Sequence, residues 1–538
     1  MPHPEPDGYL ALVLHAHLPY VRHPEFGESY EERWLYEAML ESYLPLLDAF
    51  ERLARDGVRF RVALSLSPTL LEMLADPLHR ERFLRYADSR IELAEQEMHR
   101  TEHQSPELRP PVEMYRTRFR HLRELFVERH RCDLASAFRN LADQGYLELL
   151  TTAATHGYLP LMEPPEPAAR AQIQLGLQTF EHLVGRRSRG FWLPECGYRT
   201  GLDALLSEAG VEYSILDTPA LVGARPRPRY ATFAPIRSRS GLAFFGRDLE
   251  GGLEVWSSLT GYPADPEYRD FYRDVGWDLS LDYVGRYVHE SGKRLNTGLK
   301  YYRITGPTDH KEPYRPDEAR RVAERHAAAF LANRQRQVEW LRERMGQPPL
   351  IVAAFDAELF GHWWLEGPCW LEELLRKLDA PGQTVRALTP SDYLDRNPRL
   401  QPAEPNGGSW GDGGFNARWL NPSNDWVYRN LSVAGHRMVE LARTGAQGDP
   451  DRERLLNQAA RELLLAQASD WAFLMSTGNF ADYARKRTRD HLVVFHHLYD
   501  EARQGKVDTE ALGKLEARSP IFRTLDHRVW AGTATGRD

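Results

Sequence analysis

The chain has 538 residues, more than one compact core accommodates, and with 42% hydrophobic and 27% charged residues it has the composition of a globular protein of two or three domains. A formal net charge of −8 argues against a general binder of nucleic acid or of anionic membrane. Cys132, Cys196 and Cys369 are odd in number, far apart and without zinc-ligand spacing, and the opening residues carry neither a basic stretch nor an apolar run long enough for a signal peptide or membrane span. A cytoplasmic protein in a reducing compartment is the expectation.

Tyr9 to Leu14 is a short, wholly apolar run of the kind a central parallel strand shows, and it delivers His15, His17 and Tyr20. A His-x-His at a strand's end can be a metal pair or can hydrogen-bond a substrate hydroxyl. No later Cys, His or Asp cluster at ligand spacing completes a metal site, and two structural histidines remain the plain alternative. A helix is expected over 34–55, ended by Asp56-Gly57, and alternation from Phe60 to Leu66 gives a second strand, so the chain opens as an α/β unit. From 76 to 132 the pattern changes to charge-rich helices with broken spacing, which reads as an inserted helical domain. A short strand at 146–150 leads to His156, again a histidine just beyond a strand. Ile173, Leu177, Phe180 and Val184 then mark one helix face, closed by Gly185.

The run Phe191-Trp192-Leu193-Pro194 stops abruptly at Glu195. A helix is expected after it, with Thr200 and Asp203 at capping-box spacing and Gly210 at its end. Strand carboxyl ends carry the chemistry of parallel α/β folds, so Glu195, flanked by Trp192 and Tyr198, is a candidate catalytic residue; a structural Glu capping the next helix is the alternative. After a strand at 211–216 the segment 225–241 is Arg- and Pro-rich without steady periodicity, a long loop that a compact domain seldom keeps without a use. Trp256, Tyr262, Tyr268, Phe271, Tyr272 and Trp277 follow, of which a minority are expected to face a ligand. A long helix over 317–344 hands over to Ile351-Val352-Ala353-Ala354-Phe355-Asp356, which repeats the Glu195 design and runs on to Gly361, His362, Trp363 and Trp364. The segment 402–424, holding Trp410 and Trp419, is a boundary loop, and the remainder is helical, with Asp470 either a helix-end residue or a substrate contact. Two strand-end carboxylates ringed by aromatics suit glycosidic bond chemistry, in which one is acid and base and the other is nucleophile or base.

Five stretches, 15–20 (His-Ala-His-Leu-Pro-Tyr), 155–160 (Thr-His-Gly-Tyr-Leu-Pro), 192–198 (Trp-Leu-Pro-Glu-Cys-Gly-Tyr), 355–363 (Phe-Asp-Ala-Glu-Leu-Phe-Gly-His-Trp) and 468–471 (Ala-Ser-Asp-Trp), resemble in order the five sequence regions of glycoside hydrolase family 57. Within that family the chain is most similar to the 1,4-α-glucan branching enzymes, through 256–277, the Trp410 and Trp419 pair and the helical tail. The resemblance implies an incomplete (β/α)7 barrel with an inserted helical domain and a C-terminal helical domain. The expected partition is 1–105 and 188–400 for the barrel, 106–187 for the insertion and 401–538 for the tail. It implies a retaining mechanism without metal or other cofactor, with Glu195 as nucleophile and Asp356 as general acid/base. His15, His17, His156, Trp277, Trp410, Trp419 and Asp470 would line the donor and acceptor sites. The segment 225–241 would cover the intermediate against water, with Tyr230 or Phe233 in place of the family's loop tyrosine. The expected substrate is an α-1,4-glucan, amylose or a glycogen-like polymer, converted to one with α-1,6 branches. An α-amylase or 4-α-glucanotransferase on the same site is the alternative.

Overall fold

The computed structural model describes residues 6–257, 259–289 and 291–532. Seven parallel strands form an incomplete barrel in the spatial order β8-β1-β2-β3-β4-β5-β7. They are β1 (Gly8–Ala16), β2 (Val62–Leu66), β3 (Leu147–Thr152), β4 (Gly190–Trp192), β5 (Tyr213–Leu216), β7 (Ala243–Gly246) and β8 (Leu350–Asp356). Short strands extend the sheet: β6 (Ile236–Arg237) runs antiparallel to β7, β9 (Val385–Ala387) lies beside β1, and β10 (Gln401–Pro402) beside β6. The strands are apolar on both faces because both faces are covered. Ala11, Val13, Ala63, Val352 and Ala354 pack inside the barrel, while Leu10, Leu12, Leu14, Ile351 and Ala353 pack outward against helices. Side chains alternate along a strand, so the inward row continues to His15 on β1, Ser65 on β2 and Asp356 on β8. The register sets His15 opposite both Ser65 and Asp356.

Leu147–Thr152 falls within the 106–187 span expected as a helical insertion, yet it pairs with β2 on one side and β4 on the other. Its residues are buried except Glu148, and a strand buried on both faces belongs in the sheet. The helices Pro77–Gln104 and Arg109–Glu124 lie between β2 and β3 in sequence. No capping box forms at Thr200: the helix Leu202–Glu208 starts at Gly201 in left-handed backbone, and Asp203 instead accepts from the Gly201 amide and the Tyr198 hydroxyl.

Among the described residues no ladder joins β7 to β8. Instead the Asp248 amide donates to Val352 O at 2.8 Å, and the Leu350 amide to Phe233 O at 2.9 Å. This places the 225–241 segment otherwise than expected. The Tyr230 hydroxyl donates to Met345 O, and Phe233 meets the first residue of β8, whereas Asp356 is the last residue of that strand. At about 3.3 Å per residue, Phe233 stands roughly 20 Å below the carboxyl end. Tyr230 and Phe233 therefore close the barrel's seam and do not cover the cleft.

The helix expected over 34–55 contains a π turn, Met39–Tyr43, between Arg33–Ala38 and Leu44–Arg55. The widened turn carries Glu41, Ser42 and Tyr43 against the segment after β8: Tyr43 donates to Glu358, and His362 pairs with Glu41 at 2.7 Å. Gly361 makes this contact possible. Its φ is +110°, and a Cβ there would stand 1.8 Å from Glu41 O. Gly361→Ala is therefore expected to destabilise the fold by on the order of 3 kcal/mol, read as a lowered urea midpoint; an unchanged midpoint would show that the two segments need not approach so closely.

Candidate active site

The carboxyl ends of the strands, the 402–424 loop and the C-terminal helices meet around Glu195. The one-turn helix Pro194–Cys196 follows β4, and Glu195 is held there in left-handed backbone, φ 61°. A non-glycine residue in that region is strained, and the strain aims the carboxylate at its donors. Trp410 Nε1 donates to Oε2 at 2.8 Å, and Ser469 Oγ to Oε1 at 3.0 Å. The Trp410 amide also donates to Glu195 O, so loop and turn are tied twice.

Behind Ser469 runs a chain of hydrogen bonds. His156 Nδ1 lies 3.0 Å from Ser469 Oγ, His156 Nε2 lies 3.0 Å from His15 Nε2, and His15 Nδ1 lies 3.0 Å from Ser65 Oγ. One placement of protons satisfies every link. Ser469 gives its proton to Glu195, so it accepts from His156 Nδ1–H. His156 Nε2 is then bare and accepts from His15 Nε2–H, and His15 Nδ1 accepts from Ser65. His156 is then neutral, since two N–H groups cannot face each other across the middle link, and burial disfavours a charge on His15. Burial pushes both far below the ordinary histidine range, and the neighbouring His17 adds to it. Trp192 stacks on the His15 ring at 4.7 Å between centroids.

His17 behaves otherwise. Burial disfavours its charge, but Asp470, 3.1 Å from Nε2, outweighs burial and raises its pKa. Its ring stacks on His156 at 3.9 Å, and its amide donates to Glu358 Oε1 at 3.1 Å. Ligand-type atoms of His17, His156 and Asp470 all lie within 4.8 Å of one another, a grouping that could hold a metal ion. As folded, His156 uses both nitrogens within the chain and His17 Nε2 faces Asp470, so a metal would have to displace existing hydrogen bonds.

Glu195 and Asp356 line one cleft of about 480 Å³ together with Asp217, Arg247, Trp410 and Trp419. Burial raises Glu195 to about 7, with Asp470 adding and the Trp410 and Ser469 donors opposing. Asp356 is raised to about 8, by burial first and then by the charges of Glu358 and Glu195. Among the described residues no side chain or amide donates to the Asp356 carboxylate, which accounts for its higher value.

Of the residues expected at the site, His15, His17, His156, Glu195, Asp356, Trp410, Trp419 and Asp470 come together at this end of the barrel. Trp419 is buried, stacked on Tyr158 at 4.6 Å, and presents an edge to the cleft. Trp277 is not on the cleft wall: it is exposed on a short helix and donates to Asn296. Sequence reasoning passed over Arg247, which stacks over Trp410 at 5.0 Å and pairs with Asp217. Its signal was available, since Arg247 directly follows the apolar run of β7. The exposed Leu249, Leu253 and Trp256, on the helix that follows, were also missed as a set, as was Phe473.

A family model described as glycosyl hydrolase family 57 matches residues 11–404, and one described as the C-terminal part of 1,4-alpha-glucan branching enzyme matches residues 430–530. The chain is 33% identical to the 1,4-alpha-glucan branching enzyme TK1436 of Thermococcus kodakarensis, over 96% of this chain and 78% of that protein. Among solved structures it resembles the alpha-amylase AmyC from Thermotoga maritima, with a TM-score of 0.91 and 39% identity over 98% of this chain and 99% of that one. It also resembles a GH57-type branching enzyme from Pyrococcus horikoshii, with a TM-score of 0.87 and 34% identity over 99% of this chain and 98% of that one.

The raised acids make stability depend on pH. A carboxyl whose folded pKa exceeds its unfolded value of about 4 binds its proton more tightly in the native state. That contribution is fully present below about 4 and is lost as pH rises through the folded value. Asp356→Asn, which cannot ionise, is expected to match the wild type near pH 3.5 and to exceed it by at least about 1 kcal/mol at pH 8.5. Denaturant titrations at the two pH values check this; equal stabilities at both would mean that Asp356 is not held protonated.

Proposed function

The chain belongs to glycosyl hydrolase family 57, and we propose that it is a 1,4-α-glucan branching enzyme that cuts an α-1,4 link, holds the fragment on Glu195 and moves it to a 6-hydroxyl of an acceptor chain. The observation that carries the assignment of roles is the difference in hydrogen bonding. Glu195 accepts from Trp410 Nε1 and Ser469 Oγ, which favours its ionised form, whereas among the described residues nothing donates to the Asp356 carboxyl, which burial and the neighbouring acids favour in its protonated form. Asp356 protonates the glycosidic oxygen while Glu195 attacks the anomeric carbon. Asp356 then takes the proton of the acceptor hydroxyl as that oxygen displaces Glu195. Trp410 Nε1–H and Ser469 Oγ–H fix the nucleophile's two oxygens, and Asp470, 3.1 Å from His17 Nε2, favours the protonated form of that ring beside them.

Trp410, Leu249, Leu253 and Trp256 line the cleft and suit the apolar faces of pyranose rings. The substrate is then an α-1,4-glucan, and no metal takes part. Three free cysteines suit a reducing compartment, and the cytoplasm is the place we assign. Among the described residues no helix is long and apolar enough to cross a membrane. A second reading, hydrolysis as in an α-amylase, is favoured by the 39% identity to AmyC and by the position of Tyr230 and Phe233, which leaves the cleft without the cover expected from them.

Three outcomes are expected. Glu195→Gln and Asp356→Asn each lower turnover at least about 10³-fold with the fold intact, and the wild-type kcat/KM is bell-shaped in pH with limbs near 7 and 8. A retained activity in either variant would remove that residue from its role. Incubation with amylose yields isoamylase-releasable chains faster than new reducing ends; reducing ends without branches would establish the amylase reading. Dialysis against a chelator leaves activity unchanged, whereas loss restored by a divalent ion would turn His17, His156 and Asp470 into ligands.

A further inference from the structure

A second cavity, of about 350 Å³, opens between the helix Arg33–Ala38, the helix Pro77–Gln104 and the turn at 286–288. Five guanidiniums line it, those of Arg33, Arg82, Arg85, Arg90 and Arg286, against two carboxylates, Glu28 and Glu32. Arg33, Arg82 and Arg90 are 3%, 7% and 1% exposed, so three like charges are withdrawn from water together. Burying a charge is costly unless it is paired. Glu28 pairs with Arg33 and Glu32 with Arg82, but Arg90 has only neutral acceptors, Thr297 O, Tyr287 O and Ser89 Oγ. Among the described residues nothing accepts from Arg33 Nη1, Arg82 Nε or Arg90 Nε. The Tyr86 ring lies 4.8 Å from the Arg90 guanidinium and 6.0 Å from that of Arg33. Burial lowers Arg90 below the usual arginine value, with Arg33 adding to it and Tyr86, Asp274 and Glu28 opposing. The deficit at this site is one of negative charge.

We propose that this cavity binds a small phosphorylated ligand, its phosphoryl group held by the arginine cluster. A phosphoryl dianion offers three strong acceptor oxygens to guanidinium forks, which a single carboxylate cannot match. The rim can open to admit it. Arg85 and Arg286 are mostly exposed; their ion pairs with the exposed Glu81 and Glu92 are worth little in water and exchange readily for a dianion, and Arg286 also donates to the Tyr287 hydroxyl and lies 4.7 Å over that ring. The volume suits a molecule the size of a hexose phosphate, with the Tyr86 ring as an apolar wall. A polyanion is excluded by the same volume and by the net charge of −8.

Calorimetric titration of the full-length protein with inorganic phosphate and with glucose 6-phosphate tests the site, against potassium chloride at matched ionic strength and against glucose. Saturable binding of one equivalent is expected, weakened at least 10-fold in the Arg85→Ala/Arg286→Ala variant, whose exposed positions leave the fold and the basal turnover on amylose unchanged. Equal affinities for the two probes identify free phosphate as the source of the group, and a tighter glucose 6-phosphate identifies a phosphate ester. The proposal is overturned if neither probe binds beyond the chloride control, if the double variant binds both undiminished, or if glucose alone competes with glucose 6-phosphate for the same site.

Discussion

The hydrogen-bond chain from Ser65 through His15, His156 and Ser469 to Glu195 is the constraint on which the active centre depends. Its protons point one way, toward the carboxylate, because Ser469 donates to Glu195 and must accept from His156 Nδ1–H, which leaves His156 Nε2 to accept from His15. Burial disfavours charge on these two strand-end histidines in a site that also holds Glu195, Asp356, Glu358 and Asp470, and a His17 whose pKa Asp470 raises. Neutral imidazoles neither neutralise Glu195 nor compete for its oxygens. They orient a serine that does the donating, and stacking of Trp192 on His15 keeps the first ring flat against the barrel wall. The left-handed backbone at both His156 and Glu195 shows where the fold accepts strain to bring the ends of the chain into line.

The electrostatics of the cleft follow from the same arrangement. Burial pushes Glu195, Asp356 and Glu358 upward, and the donors on Glu195 oppose it there. Holding raised acids costs stability at neutral pH, a trade often found where a site needs charges that a folded interior resists.

Much of the site was legible in the sequence because strand parity and strand ends carry it. Glu195, Asp356, His15 and His156 each follow a short apolar run, and such runs read as buried strands without knowledge of their partners. What could not be read depended on how the barrel closes. Tyr230 and Phe233 lie between the two catalytic strands in sequence, yet the chain there descends to fill the seam between β7 and β8, and sequence position says nothing of height along a barrel. The strand Leu147–Thr152 was seen, but the helices before it drew it into the wrong domain. The π turn at Met39–Tyr43 was hidden because its residues keep helical periodicity and differ only in one widened turn. Arg247 was missed with β7 itself, four residues being too short a run to stand out.

One donor to the Glu195 carboxylate is remote in the chain: Ser469 lies 274 residues beyond Glu195. At synthesis rates of about 5–20 residues per second the ribosome takes tens of seconds to cover that distance. The barrel is complete only once β8 has ended at Asp356, and until the C-terminal helices follow, His156 and Glu195 lack Ser469 and His17 lacks Asp470. The catalytic carboxylate is left without one of its two donors, beside a histidine chain with no terminus to fix its proton order. The centre around Glu195 is therefore assembled only when the last helices dock.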